Sequence, residues 1–216
     1  MPRFQLRFPL FARHAFLALA LAIFALPALA ARTVMVFGDS LSAAYGLSPQ
    51  EGWVSLLAGR LAKASPPWQV ANASVSGETT AGGLSRLPAE LERHRPSIVV
   101  LELGANDALR GQPLAATRAN LERMIALVRR AHAQPVLVGL MIPPNYGIDY
   151  AREFRELYPA VARKDHVALV PFLLAGVVEH DELFQPDRLH PTAAAQARIL
   201  ENVWATLHPL VDRRPR

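Results

Sequence analysis

Apolar and polar positions follow two rhythms along the chain. Short apolar runs, several of them rich in β-branched residues, recur at 33–37, 68–72, 98–103, 136–140 and 167–170. Each has the length and composition of a buried strand. Between them lie stretches with apolar side chains at helical spacing. Trp53, Leu56, Leu57 and Leu61 mark one such stretch over 53–64. Others cover 84–94, 114–132 and 149–163, with a stop expected at Pro96 and a bend at Pro159. Thr192 is expected to cap a last helix reaching about residue 207. Strand and helix thus alternate, which predicts a mostly parallel α/β sheet covered by helices on both faces. No internal repeat, linker or break in composition divides the chain after residue 31, so one domain over 31–216 is expected.

The N-terminus has a different pattern. Arg3, Arg7 and Arg13 precede an uncharged apolar run over 15–26, Pro27 breaks it, and Ala28-Leu29-Ala30 forms a small-x-small cleavage site. The run falls short of the roughly 20 residues that span a bilayer. Residues 1–30 are expected to be an export signal, with an uncleaved anchor as the alternative. No later stretch is long and apolar enough to span. A periplasmic or secreted bacterial protein follows.

Composition narrows the chemistry. The 216 residues are 51% apolar and 19% charged, enough to bury a core. There is no cysteine, which excludes disulfides, zinc–thiolate sites, a thiol nucleophile and a lipidated cysteine anchor. The formal charge is +5, but without the three signal arginines the 23 basic residues become 20 against 18 acidic ones, or +2. Part of that surplus is the terminal Arg213-Arg214-Pro215-Arg216, read as a solvated tail, and no nucleic-acid partner is expected. His94, His132, His166, His180 and His208 lack metal-ligand spacing, and no phosphate-binding glycine motif is present.

Functional groups in parallel sheets collect beyond the carboxyl ends of the strands. Gly38-Asp39-Ser40-Leu41-Ser42 follows the first strand, and residues 72–79, with Gly77, follow the second. Gly104-Ala105-Asn106-Asp107 follows the third, and Pro186-Asp187-Arg188-Leu189-His190-Pro191-Thr192 comes after the fifth. Together they supply the roles of acyl transfer. Ser40, near the start of a helical segment, is the candidate nucleophile and His190 its base. Asp187, three residues earlier, can hold the imidazole. The N–H groups of Ser40 and Gly77 and the amide of Asn106 are candidate oxyanion donors. Each piece alone is commonplace: Gly-Asp-Ser as a turn, Asp-x-x-His as a helix start. Their joint occurrence in this order is the signal. Asp39 is expected to shape its turn rather than act as a base.

These four blocks resemble those of the SGNH, or GDSL, hydrolases over nearly all of residues 32–210. Ser40 matches the first block, Gly77 the second, Asn106 the third, and Asp187 with His190 the last. A closer likeness, to a secreted multifunctional esterase subgroup, rests on 72–77, 102–111 and 143–147. The resemblance implies a flavodoxin-like three-layer α/β/α fold with five parallel strands in the order 2-1-3-4-5. It implies a serine esterase acting on small-molecule acyl esters and thioesters through an acyl-enzyme, with neither metal nor organic cofactor, and a monomer. Aryl esters, acyl-CoA and lysophospholipids are the substrates it suggests. Leu109, Pro143 and Tyr146 are candidate acyl contacts, with ordinary packing as the alternative. Ala105 departs from a glycine common in near relatives, which should stiffen the loop and leave Asn106 in place. The stretch 79–83 is expected to be an adjustable loop. Two other readings stay open: a carbohydrate O-deacetylase of the same fold, and a non-catalytic flavodoxin-like binding module.

Overall fold

The computed structural model describes residues 32–212; the expected signal at 1–30 and the tail at 213–216 lie outside the described residues. Apolar runs become strands: β1 (Arg32–Gly38), β2 (Trp68–Asn72), β3 (Ile98–Glu102), β4 (Gln134–Val138) and β5 (Ala168–Val170). They pair in parallel in the order β2-β1-β3-β4-β5, as the family resemblance implied. The helices are α1 (Trp53–Leu61), α2 (Thr80–His94), α3 (Ala105–Leu109), α4 (Leu114–Arg130), α5 (Ile148–Lys164) and α6 (Gln196–Val211). Helices α1 and α6 pack together on one face and α2, α4 and α5 on the other, giving three layers.

Burial explains the pairing. Val34, Met35, Val36 and Phe37 of β1 and Val99, Val100 and Leu101 of β3 are fully buried, as expected of central strands covered on both faces. Each helix turns one apolar stripe inward: Trp53, Leu57 and Leu61 from α1, Leu121, Met124 and Val128 from α4, and Ile199, Val203 and Leu207 from α6. Each such side chain contributes about 1.5–3 kcal/mol through removal from water. Among the described residues, no helix is long and apolar enough to cross a membrane.

Four expectations shift. Helix α2 begins at Thr80 rather than 84, because Thr79 caps it by accepting the Gly82 N–H at 3.2 Å. Gly82 and Gly83, which suggest a loop, lie inside that helix. A Cβ on Gly83 would stand 2.6 Å from Leu103 Cδ1, so the bare position lets α2 approach the sheet. Strand β4 sits two residues earlier than 136–140, since Gln134 and Pro135 already pair with Ile98 and Val99. Thr192 does not cap with its side chain. Its hydroxyl donates to Leu183 O at 3.2 Å, and a 3-10 turn over Ala193–Ala195 leads into α6, which runs through Pro209 to Val211. Helix α5 likewise continues through Pro159.

Register sets the stage for the site. Gly38 lies beside Glu102, and Val36 lies between Asn72 and Val100. The segments after β2, β1 and β3 therefore leave the sheet side by side. The buried Tyr158 of α5 supports this edge by donating its hydroxyl to Leu103 O at 3.0 Å, just ahead of α3. Tyr158→Phe strands that buried carbonyl. It is expected to lower unfolding free energy by about 1–3 kcal/mol, read as an earlier urea midpoint at unchanged m-value.

Candidate functional site

Ser40 occupies a turn directly after β1 rather than a helix start; the Ala43 N–H donates to Asp39 O at 2.9 Å, and regular α-helix begins only at Trp53. The Ser40 Oγ lies 2.8 Å from His190 Nε2, although 150 residues separate them in sequence. His190 Nδ1 lies 2.7 Å from Asp187 Oδ2. Asp187 Oδ1 also accepts the backbone N–H groups of Leu189 and His190, each at 3.0 Å. This turn is tight: Arg188 has φ +58°. Burial pushes the Asp187 carboxyl upward, but the bonds from the His190 ring and the two N–H groups outweigh it and hold the pKa at about 2. Asp187 is therefore ionised above mildly acidic pH, which fixes its acceptor role toward Nδ1.

The candidate oxyanion donors come from the three neighbouring loops. Among the described residues, no acceptor takes the N–H of Ser40 or that of Gly77. Gly77 has φ +79°, a conformation suited to glycine, and its carbonyl accepts from Arg110 at 3.1 Å. Asn106 is the second residue of α3, so the loop expected there is a short helix, and Ala105 opens it without strain. Its amide Nδ2 donates one hydrogen to Asp39 Oδ2 at 3.0 Å and keeps the other free.

Polar groups that the motifs did not mark knit these loops together. Asn72 donates to Ser42 O at 2.8 Å, and Ser74 Oγ accepts the Gly38 N–H at 3.0 Å, tying the β2 loop to the β1 turn. Buried Asp107 accepts the Thr80 N–H at 2.8 Å and also bonds the Thr80 hydroxyl, joining α2 to α3. Beneath them lies Glu102, wholly buried. Its Oε2 accepts the Ser42 hydroxyl at 2.7 Å and the Asp39 N–H at 3.2 Å, while Oε1 has no partner. Burial first, and then the nearby Asp39, push the Glu102 carboxyl well above its ordinary range. Asp39 shapes its turn as expected, accepting the Leu41 N–H at 3.0 Å. Burial raises it to about 6 against the lowering effects of that bond, His190 and Asn106.

The structure thus unites Ser40, His190 and Asp187 by direct contact and sets Gly77 on the loop after β2 and Asn106 in the first turn of α3. The hollow at Ser40, about 10 Å³, is lined by Leu41, Ala44, Tyr45, Leu47, His190, Pro191 and Gln196. Leu109, at the end of α3, and Pro143 and Tyr146, after β4, do not line it; Tyr146 is 42% exposed. Sequence reasoning passed over Tyr45, whose ring lies 4.4 Å from the His190 ring at a tilt of 39°. Its signal is slight: an aromatic residue in a turn of small and aliphatic side chains.

The chain matches the GDSL-like Lipase/Acylhydrolase family over residues 36–198. It is 50% identical over 182 residues to Esterase TesA of Pseudomonas aeruginosa, covering 84% of this chain and 90% of that one. It is 39% identical to Thioesterase 1/protease 1/lysophospholipase L1 of Escherichia coli K12, covering 86% of this chain and 88% of the other. The fold superposes on a crystal structure of psychrotrophic esterase EstA from Pseudoalteromonas, inhibited by monoethylphosphonate, with a TM-score of 0.79 at 37% identity, covering 84% of this chain and 100% of that one.

The buried acid predicts a pH signature. Glu102 binds its proton more tightly folded than unfolded, so wild-type stability falls as pH rises from about 4.5 toward the folded pKa. Glu102→Gln retains an acceptor oxygen and cannot ionise. Urea midpoints between pH 5 and 8 should be flatter for the variant, and a slope as steep as in wild type would contradict the upward push on the Glu102 carboxyl.

Proposed function

The chain belongs to the GDSL-like lipase/acylhydrolase family, and from that premise we propose that it is a serine esterase that cleaves acyl esters and thioesters through Ser40, His190 and Asp187. The observation that carries this reading is the unbroken contact from Ser40 Oγ to His190 Nε2 at 2.8 Å and from His190 Nδ1 to Asp187 at 2.7 Å. Ser40 attacks the acyl carbonyl as His190 takes its proton, and ionised Asp187 stabilises the imidazolium that forms. The negative oxygen faces the N–H groups of Ser40 and Gly77 and the free amide hydrogen of Asn106. Collapse expels the alcohol or thiol, which takes the proton from His190. Water, activated by the same imidazole, then releases the acid from the acyl-serine.

Residues 1–30 direct export in this reading, which places the enzyme in the periplasm or outside the cell. Acyl-CoA is scarce there, so lipid-like or foreign esters are the better natural substrates. Leu109, Pro143 and Tyr146 line the path of the acyl chain. The names of the relatives, spanning esterase, thioesterase and lysophospholipase, support this range.

Ser40→Ala is expected to lower nitrophenyl-ester turnover by about 10³-fold or more and to abolish labelling by a fluorophosphonate. Asn106→Ala should lower kcat by about 10²–10³-fold with labelling retained but slowed. A wild-type protein inert to both reagents would instead indicate a binding module. Rates rising from acetyl to decanoyl esters support a medium or long acyl preference; rates that fall steadily along the series support deacetylation.

A further inference from the structure

The sheet does not deliver His190 to Ser40. Ser40 follows β1 in the middle of the sheet, whereas the His190 segment follows β5 at its edge, beyond β3 and β4. Strand pairing fixes Ser40 against the Gly77 and Asn106 loops. The separation of Ser40 from His190 is left to whatever ties the segment 184–192 to the turn 40–47. Residues 187–190 already form a stiff unit around the Asp187 carboxylate, so that unit moves as a body and is steered from its two ends.

Gln185 holds both ends. Its backbone N–H donates to His190 O at 2.8 Å, closing the segment into a loop. Its side-chain Nε2 donates to Pro191 O at 3.1 Å, one residue past the histidine, and to Tyr45 O at 2.9 Å, on the serine turn. The Tyr45 N–H in turn donates to Ser40 O at 3.3 Å. One nitrogen with two hydrogens therefore links a carbonyl beside the base to a turn closed on the nucleophile. The fit is close: a Cβ on Gly46, where φ is +72°, would overlap the Gln185 Oε1. The same link holds the Tyr45 ring against the imidazole at 4.4 Å. Glutamate at 185 would match the shape and lack both donors; asparagine would stop a methylene short.

A second amide braces the segment from the other side. Gln196, 3% exposed, accepts the Trp53 N–H at 3.0 Å and donates to Thr192 O at 3.2 Å. The Trp53 indole donates to Leu41 O at 3.2 Å, next to Ser40. That brace runs through the core helix α1, whereas the Gln185 link spans the two loops directly.

We propose that Gln185 is a positioning residue for catalysis: its amide nitrogen, shared between the Tyr45 and Pro191 carbonyls, sets the reach of His190 to Ser40. This role rests on the reading of Ser40 and His190 as nucleophile and base. Gln185 touches no reacting atom and acts through His190 alone.

The test uses Gln185→Met, which keeps length and packing and removes the donors, in the full chain. kcat and KM for a nitrophenyl ester are normalised to sites titrated to completion with a fluorophosphonate. The expected result is a kcat lowered about 10- to 100-fold, as a misplacement of about 1 Å produces, with KM within about threefold and labelling slowed in parallel. In a His190→Ala background the same change should leave the residual rate unaltered, because residues that act as one unit are not additive. A normalised kcat within about twofold of wild type overturns the role. So does an equal loss in the His190→Ala background, which would mark general loosening. If Gln185→Met does not fold, Gly46→Ala, whose methyl displaces the amide, should lower kcat in the same way, and an unchanged kcat there also overturns the role. A wild-type protein that neither turns over nor labels overturns the esterase reading itself; an active wild type with an equally active Gln185→Met overturns this role alone.

Discussion

Two buried acids, Asp39 and Glu102, hold the edge that carries Ser40 in place. Parallel register sets Gly38 next to Glu102, so the acid at the end of β3 lies under the turn that follows β1. Glu102 takes the Asp39 N–H and the Ser42 hydroxyl, one residue before Ser40 and two after it. Asp39 takes the Leu41 N–H and the Asn106 amide. Both residues flanking Ser40 thus have their N–H groups bound by these carboxyls, and the Ser40 N–H itself is left without an acceptor among the described residues. The upward push on the Glu102 carboxyl fits this arrangement: a second buried charge near Asp39 would be repelled in a medium of low polarity, and the unpartnered Oε1 would add to its cost.

Topology divides the remaining work. The loops after β2, β1 and β3 are adjacent because their strands are, and Asn72, Ser74, Asp107 and Arg110 stitch them together. The placement of Ser40 against Gly77 and Asn106 is thereby a property of the sheet. That of His190, the proposed base, is not, since β5 lies at the edge. Its segment returns across the top of the sheet and is secured by amides rather than by strand pairing. The arrangement separates two requirements: a rigid set of donors that must match a developing charge, and a base whose distance to the hydroxyl is set locally.

Much of this was legible in the sequence, for reasons that differ by residue. The strands could be read because central parallel strands are apolar on both faces, and 33–37 and 98–103 show nearly unbroken runs. Ser40, Gly77, Asn106, Asp187 and His190 could be read because each sits just past a strand or in a short Asp-x-x-His turn. The start of α2 could not, because Gly82 and Gly83 carry poor helix propensity, and only the fold shows that Gly83 approaches Leu103 and Phe37 while Gly82 faces the Glu78 side chain. Thr192 has a cap's composition, but a long-range bond to Leu183 O claims its hydroxyl. Gln185, Gln196 and Tyr45 left no periodic trace, since a glutamine in a loop or at a helix start is ordinary, and Tyr45 lies 140 residues from Gln185 and Trp53 143 from Gln196.

The site also shows why its surroundings are so heavily packed. Buried acids, an unpartnered Glu102 oxygen and left-handed backbone at Ala44 and Arg188 all oppose folding. None of them improves the core, yet each serves a geometry: the turn after β1, the tight bend that presents His190, the acceptors that leave one N–H free. Such features persist only where neighbouring structure over-determines them. Here that structure is the fully buried β1 and β3, with Tyr158 bonded beneath Leu103 and Trp53 bonded to Leu41. Substitutions that relax the strained edge should therefore gain stability more readily than activity, because the conformations they release are the ones that hold Ser40, Asn106 and His190 in register.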